Sequence, residues 1–218
     1  MIKKEGKNQK REFLIIVPGA RAIKSKNPFL QKLILFLYSL LWFHPIYPPK
    51  NYRGLTKKLK SRGRKIRFFR WSGGISKKLD IEPAVQRLVR LIRRKSRKHI
   101  IKILAFSIGA EISQLAITKL KDEKIKILVQ TGAFNYSKLL RLKNAKKIIN
   151  IFSDKDRLVR VAMDILEPFK AGQRVYDKNA RNIIILGFEH ENFHENCLIK
   201  KGRYKNKRIF DLYKEFLK

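Results

Sequence analysis

The chain carries 53 Lys+Arg against 17 Asp+Glu over 218 residues, a net charge of +36. That length suits one full-sized domain, the 44% hydrophobic fraction supplies a real core, and such a field attracts polyanions: nucleic acid, anionic lipid, acidic proteins. The single cysteine, Cys197, excludes an intramolecular disulfide and a cysteine-rich zinc site.

From the amino end, Met1 to Glu12 is charged and polar, without the apolar stretch of a cleaved signal peptide. Residues 1–11 therefore read as a disordered basic terminus, and the protein as cytoplasmic or membrane-peripheral. The first candidate strand is Glu12–Val17, ending in the small-residue turn Val17-Pro18-Gly19-Ala20. A helical pattern over Phe29–Phe43 follows. Within it Leu33–Phe43 runs eleven residues without a charge, short of the about 20 needed to span a membrane. It reads as a helix buried against a sheet; the sharper alternative is an acyl-pocket wall or a membrane-surface contact.

Next come the strand Lys65–Trp71 and the helix Glu82–Arg97, with Asp80, Glu82 and Pro83 suited to its first turn and Val85, Leu88, Val89, Leu91 and Ile92 on one face. The strand Ile100–Phe106 stops at Ser107, and the helix Ile108–Leu120 begins at once. Strands Lys124–Gln130, Lys147–Phe152 and Asn182–Leu186 complete the series, with helical patterns near Val159–Leu166 and over Asn206–Leu217. The strands are nearly continuous apolar runs, as in a parallel sheet covered on both faces. Their alternation with helices predicts a doubly wound, mostly parallel α/β sheet in one domain, residues 1–218.

Basic residues crowd Lys57–Arg70, Arg87–Lys102, Lys138–Lys147 and Lys200–Arg208, with no terminal tail holding the excess. They read as a coat on every solvated face. No RNA- or DNA-binding motif accompanies them, so nucleic acid enters as a partner through net charge alone.

The chemistry-bearing residues follow strands. Ser107 stands at the apex of a strand–turn–helix junction with small neighbours, where a hydroxyl is exposed and the next backbone N–H, that of Ile108, faces a developing oxyanion. The turn at Ala20 is a second candidate oxyanion donor. A serine needs a base and the base a carboxylate. Ser153-Asp154-Lys155-Asp156 follows one later strand and Gly187-Phe188-Glu189-His190-Glu191-Asn192-Phe193-His194 another. Asp154 and Asp156 compete for the acid, either also serving as a helix cap, and His190 and His194 for the base. His190-Glu191-x-x-His194 matches a zinc-protease string literally. It follows a strand and Gly187 rather than lying inside a long helix, and only Glu195 or Asp211 lies downstream as a third ligand, so no metal is expected.

Taken together, Val-Pro-Gly-Ala (17–20), Ala-Phe-Ser-Ile-Gly (105–109), Ser-Asp-Lys-Asp-Arg-Leu-Val (153–159) and Gly-Phe-Glu-His (187–190) resemble the oxyanion loop, nucleophile elbow, acid turn and histidine loop of the α/β-hydrolase superfamily. The likeness is to small lipase- or esterase-like members without a large lid, and it runs from about Glu12 to Leu217. It implies Ser107 as nucleophile, His190 as general base and then acid, Asp156 as the orienting carboxylate, and Ile108 and Ala20 as oxyanion donors, with Asp154 and His194 as the alternatives. It implies a small acyl or ester substrate and no cofactor. Two departures stand out. Ala105 occupies the position where glycine is commonest, and the likeness starts at what would be the family's third strand. The competing expectation is a non-catalytic protein of this fold that binds nucleic acid or an anionic membrane through its basic surface.

Overall fold

The computed structural model describes residues 10–19, 52–71, 81–133, 141–156 and 174–218. The expected helices over Phe29–Phe43 and near Val159–Leu166, the terminus 1–9, and Asp80 and Ala20 lie outside them.

Six strands form one sheet: β1 (Arg11–Val17), β2 (Arg64–Phe68), β3 (His99–Phe106), β4 (Ile125–Thr131), β5 (Ile148–Phe152) and β6 (Ala180–Ile184). Their spatial order is β2-β1-β3-β4-β5-β6 and every pairing is parallel. From β1 the chain winds outward to β2, then returns across β1 to build β3 through β6 on the other side. The strand order thus reverses between β1 and β3, the place where open α/β sheets keep a crevice at the carboxyl ends of their strands.

Alternation in each strand feeds two cores. Phe13, Ile15 and Val17 of β1, with Ile101, Ile103 and Ala105 of β3, face helices α2 (Glu82–Ser96) and α3 (Ile108–Thr118). Leu14 and Ile16, with Leu104 and Phe106, face α1 (Tyr52–Leu59) and α4 (Ile209–Phe216). Both faces are covered, which is why the strands read as unbroken apolar runs.

Most element bounds differ from the expectation by one to three residues. Strand β2 ends at Phe68 rather than Trp71, because its partner β1 stops at Val17 before Pro18; the bond from Phe69 N–H to Ile16 O, 2.8 Å, closes the ladder. Strand β6 runs Ala180–Ile184 rather than Asn182–Leu186; its Ala180 is half-buried, and Arg181 and Asn182 are exposed. Helix α1 was not expected at all. Tyr52, Leu55 and Leu59 are buried on one side of it, but Gly54 and three basic residues obscure that pattern.

A lysine is enclosed beside the sheet. Lys102 of β3 is fully buried; its Nζ pairs with Glu12 and donates to the carbonyls of Leu217 (2.6 Å) and Lys218 (2.9 Å). Arg64 joins Glu12 at 2.7 Å and donates to the same Leu217 carbonyl at 2.9 Å. Burial pushes the Glu12 carboxyl up, but hydrogen bonds from Lys102 and Arg64 outweigh it and hold the group below its ordinary range.

Candidate active site

Ser107 leaves β3 at φ 51°, ψ −126°, a backbone state that a residue with a Cβ adopts only under strain. Its N–H bonds to the Thr131 carbonyl at the end of β4 (2.9 Å), and its own carbonyl accepts from Ala110 (2.8 Å) to start α3. Its side chain makes no cap bond to the helix. The strain is held by close packing with the exit of β1. A Cβ on Gly19 would stand 2.8 Å from the Ser107 Cβ, and one on Gly109 would stand 2.4 Å from the Val17 carbonyl oxygen. Small residues around the serine are therefore a packing requirement. Pro18, whose carbonyl accepts from the Trp71 indole N–H at 2.8 Å, anchors that exit loop.

On the other side of Ser107 lies the end of β4. Gly132, at φ +54°, follows the Thr131 that binds the serine N–H, and a Cβ there would meet His190 Cε1 at 3.0 Å, His190 Nδ1 at 3.1 Å and Asp156 Oδ2 at 3.4 Å. One two-residue turn thus touches the serine backbone, the imidazole and the carboxylate. His190 opens a short 3-10 helix (His190–Phe193) after β6, and Asp156 follows β5. Their side chains are buried, 4% and 0% exposed, and His190 Nδ1 lies 3.0 Å from Asp156 Oδ2. A carboxylate only accepts there, so Nδ1 carries the proton and Nε2 is the basic nitrogen.

No protein-family model and no curated protein matches the sequence. Solved structures do. An uncharacterized protein from Bacillus cereus aligns with TM-score 0.50 and 13% identity over 87% of this chain and 57% of that one. This chain therefore spans 57% of that protein's length. An alpha-beta serine hydrolase homologue from Coxiella burnetii gives 0.49 and 15% over 96% and 84%. A serine hydrolase without lid from Xanthomonas campestris gives 0.43 and 14% over 85% and 76%. At these identities the likeness is one of fold. The chain is an open, doubly wound, all-parallel α/β sheet.

Within this sheet the competing candidates separate. Asp154 binds backbone and hydroxyl groups. Its Oδ1 accepts the Gly187 N–H at 2.8 Å and lies 3.3 Å from the Ser153 hydroxyl; the Gly187 bond above all holds its carboxyl below the ordinary range. It ties the turn after β5 to the turn after β6, and so fixes the loops that carry Asp156 and His190.

His194 meets a phenol instead. Its Nδ1 lies 2.6 Å from the Tyr52 hydroxyl, and its ring packs on Phe106 (centroids 5.0 Å apart) and beside His190 (5.6 Å). Burial, then the neighbouring His190, push its imidazole down to about 3. Burial likewise raises the Tyr52 phenol, so Tyr52 donates and Nδ1 of a neutral His194 accepts. The His-Glu-x-x-His string sits on a single 3-10 turn with its two Nδ1 atoms turned to different partners.

Ile108 is the first residue of α3, so its N–H belongs to those a helix start leaves without an intrahelical partner. Ala20, the other oxyanion candidate, lies outside the described residues. Sequence reasoning missed Gly132, Tyr52 and Tyr213. The Tyr213 hydroxyl donates to the Phe193 carbonyl at 2.8 Å and lies 3.4 Å from Thr131 Oγ1, lashing the histidine turn to β4. Gly132 had a signal, a glycine immediately after a buried strand. The tyrosines had none.

Proposed function

We propose that the protein is a serine hydrolase that cleaves an ester or related acyl substrate through a covalent acyl-enzyme. Ser107 Oγ attacks the carbonyl carbon while His190 Nε2 takes its proton, and Asp156 holds the imidazole through Nδ1–H. The Ile108 N–H and an N–H of the turn at Ala20 receive the tetrahedral oxyanion. Collapse breaks the bond to the leaving alkoxide, which departs with the proton returned by His190. Water then gives a proton to His190 and attacks the acyl carbon, releasing the acid and restoring Ser107.

The observation that supports this reading is the meeting at Gly132. The buried His190–Asp156 pair packs on the residue next to the one that pins the Ser107 backbone, and each of the three follows a different parallel strand at the sheet's carboxyl end. The test is hydrolysis of p-nitrophenyl esters of graded acyl length. Wild type should turn over one length range preferentially, and Ser107→Ala and His190→Ala should each lose about 10⁴-fold or more in kcat. Variants as active as wild type would contradict the proposal.

A further inference from the structure

Between the histidine turn and α4 the chain makes a hairpin. Leu198 and Arg208 form an antiparallel bridge across it. Ile199 N–H bonds to the Lys207 carbonyl (2.9 Å), Asn206 N–H to the Ile199 carbonyl (2.8 Å) and Ile209 N–H to the Cys197 carbonyl (3.0 Å). The tip closes through Lys205 N–H to the Gly202 carbonyl (3.0 Å). Tyr204 is buried in the core beneath, and its hydroxyl accepts from Arg181 of β6 at 3.3 Å. The hairpin is therefore a fixed part of the fold, tied to the edge of the sheet.

Its outer surface is cationic. Lys200, Lys201, Arg203, Lys205, Lys207 and Arg208 are exposed. Lys207 pairs with Glu215 at 2.6 Å, and Arg208 donates to the Asn196 carbonyl at 2.9 Å. Lys200, Lys201 and Lys205 meet no carboxylate among the described residues. Two apolar side chains stand in water beside them. Leu198, at the base of the hairpin, is 45% exposed, and Leu186, just after β6, is 37% exposed. A Cβ on Gly202 would lie 3.5 Å from Leu186 Cδ1, so Leu186 rests against the tip.

We infer that this hairpin docks on an anionic lipid surface, with Lys200, Lys201 and Lys205 among the headgroups and Leu186 and Leu198 in the interfacial layer. A membrane interface offers negative charge and an apolar boundary together. A nucleic-acid backbone offers the charge but no place for a leucine. The exposed face of α2 is the contrast. Arg87, Arg90 and Arg94 stand on it, and no large apolar side chain is exposed among them. Cations of that kind attract any polyanion, whereas leucines held in water beside cations select an interface. The inference does not depend on Ser107 or on any hydrolytic activity.

The test is co-sedimentation of the whole chain with vesicles of mixed phosphatidylserine and phosphatidylcholine, beside vesicles of phosphatidylcholine alone and a labelled single-stranded RNA. Wild type should bind the anionic vesicles and leave the neutral ones in the pellet alone. Lys200→Gln with Lys201→Gln should weaken vesicle binding by about 30-fold at low salt, each cation near such a surface contributing about five-fold. Leu186→Ser with Leu198→Ser should weaken it by about ten-fold, a loss that persists at high salt, and should leave RNA binding unchanged. Arg87→Gln with Arg90→Gln should cost less than the hairpin lysines do. Equal binding of neutral and anionic vesicles, a leucine variant that binds like wild type, or an α2 variant that loses as much as the hairpin variant would overturn the inference. So would RNA binding that depends on Lys200 and Lys201 while vesicle binding does not. Amine acetylation of wild type, mapped by mass, needs no substitution. On anionic vesicles Lys200, Lys201 and Lys205 should be protected and Lys121, before β4, should not. Equal reactivity of all four with and without vesicles would overturn the inference even where a variant fails to fold.

Discussion

Ser107 holds a backbone conformation that costs on the order of 1–3 kcal/mol for a residue with a side chain, and the packing that enforces it is identifiable. Gly19 and Gly109 let the β1 exit press on one side, and the Thr131 carbonyl holds the N–H on the other. Gly132 is the residue where this support meets the His190–Asp156 pair. Gly132→Ala would place a methyl 3.0 Å from the imidazole at a positive φ, so the ring must move. The contact asks the ring to give by a few tenths of an ångström; since a 1 Å misplacement costs about 100-fold in rate, we expect a smaller loss, about ten-fold, in ester hydrolysis with Ser107 intact. An unchanged rate would mean the ring has slack that the contact distances deny.

His194 carries the second residue-scale prediction. Its folded-state imidazole titrates near 3 against an ordinary 6.5, so the unfolded chain binds a proton there that the folded chain does not. Its contribution to stability is complete above pH 6.5 and is lost as pH falls toward 3, at about 1.4 kcal/mol per pH unit. Denaturant midpoints measured from pH 7.5 down to 5 should drop in wild type, and the drop should shrink in His194→Asn. An identical slope in both would place the proton uptake elsewhere. Sequence placed Ser107 at its turn, since an apolar run that stops at a serine among small residues is a local pattern. It left Asp154 against Asp156 and His190 against His194 open, because which side chain turns inward is set by partners far away. Tyr52, the partner of His194, lies 142 residues from it along the chain.

At the scale of elements, strands were more legible than helices. Strands buried on both faces need uninterrupted Ile, Leu and Val, whereas α1 is amphipathic through three residues only. The sheet's register has a determinant that apolar patterning hides. Gln114 of α3 donates to Gln130 of β4 (2.9 Å), Gln130 to Asn150 of β5 (3.0 Å), and Asn150 to Asn182 of β6 (2.8 Å). Gln130, Asn150 and Asn182 are paired residues on adjacent strands, so a one-residue slip would set amides opposite isoleucine. Asn150→Leu should cost about 1–3 kcal/mol for each amide it strands, read as a lower denaturant midpoint. A midpoint equal to wild type would show that apolar pairing alone sets the register.

At the scale of the molecule, one sheet with two cores carries a +36 surface. No helix among the described residues is long and apolar enough to cross a membrane; the apolar run Leu33–Phe43 lies outside them. Charge was legible from composition, but the exposed leucine beside the Lys200–Arg208 run was not, since Leu186 meets Gly202 only in the folded chain. The proposed convergence of serine, imidazole and carboxylate is likewise a property of the assembled sheet. Its most direct measurement is intact mass after treatment with a fluorophosphonate, followed by peptide mapping. One adduct per chain, located on Ser107 and lost in both Ser107→Ala and His190→Ala, is the predicted result. No adduct on wild type, or one that persists when Ser107 is replaced, would contradict the assignment.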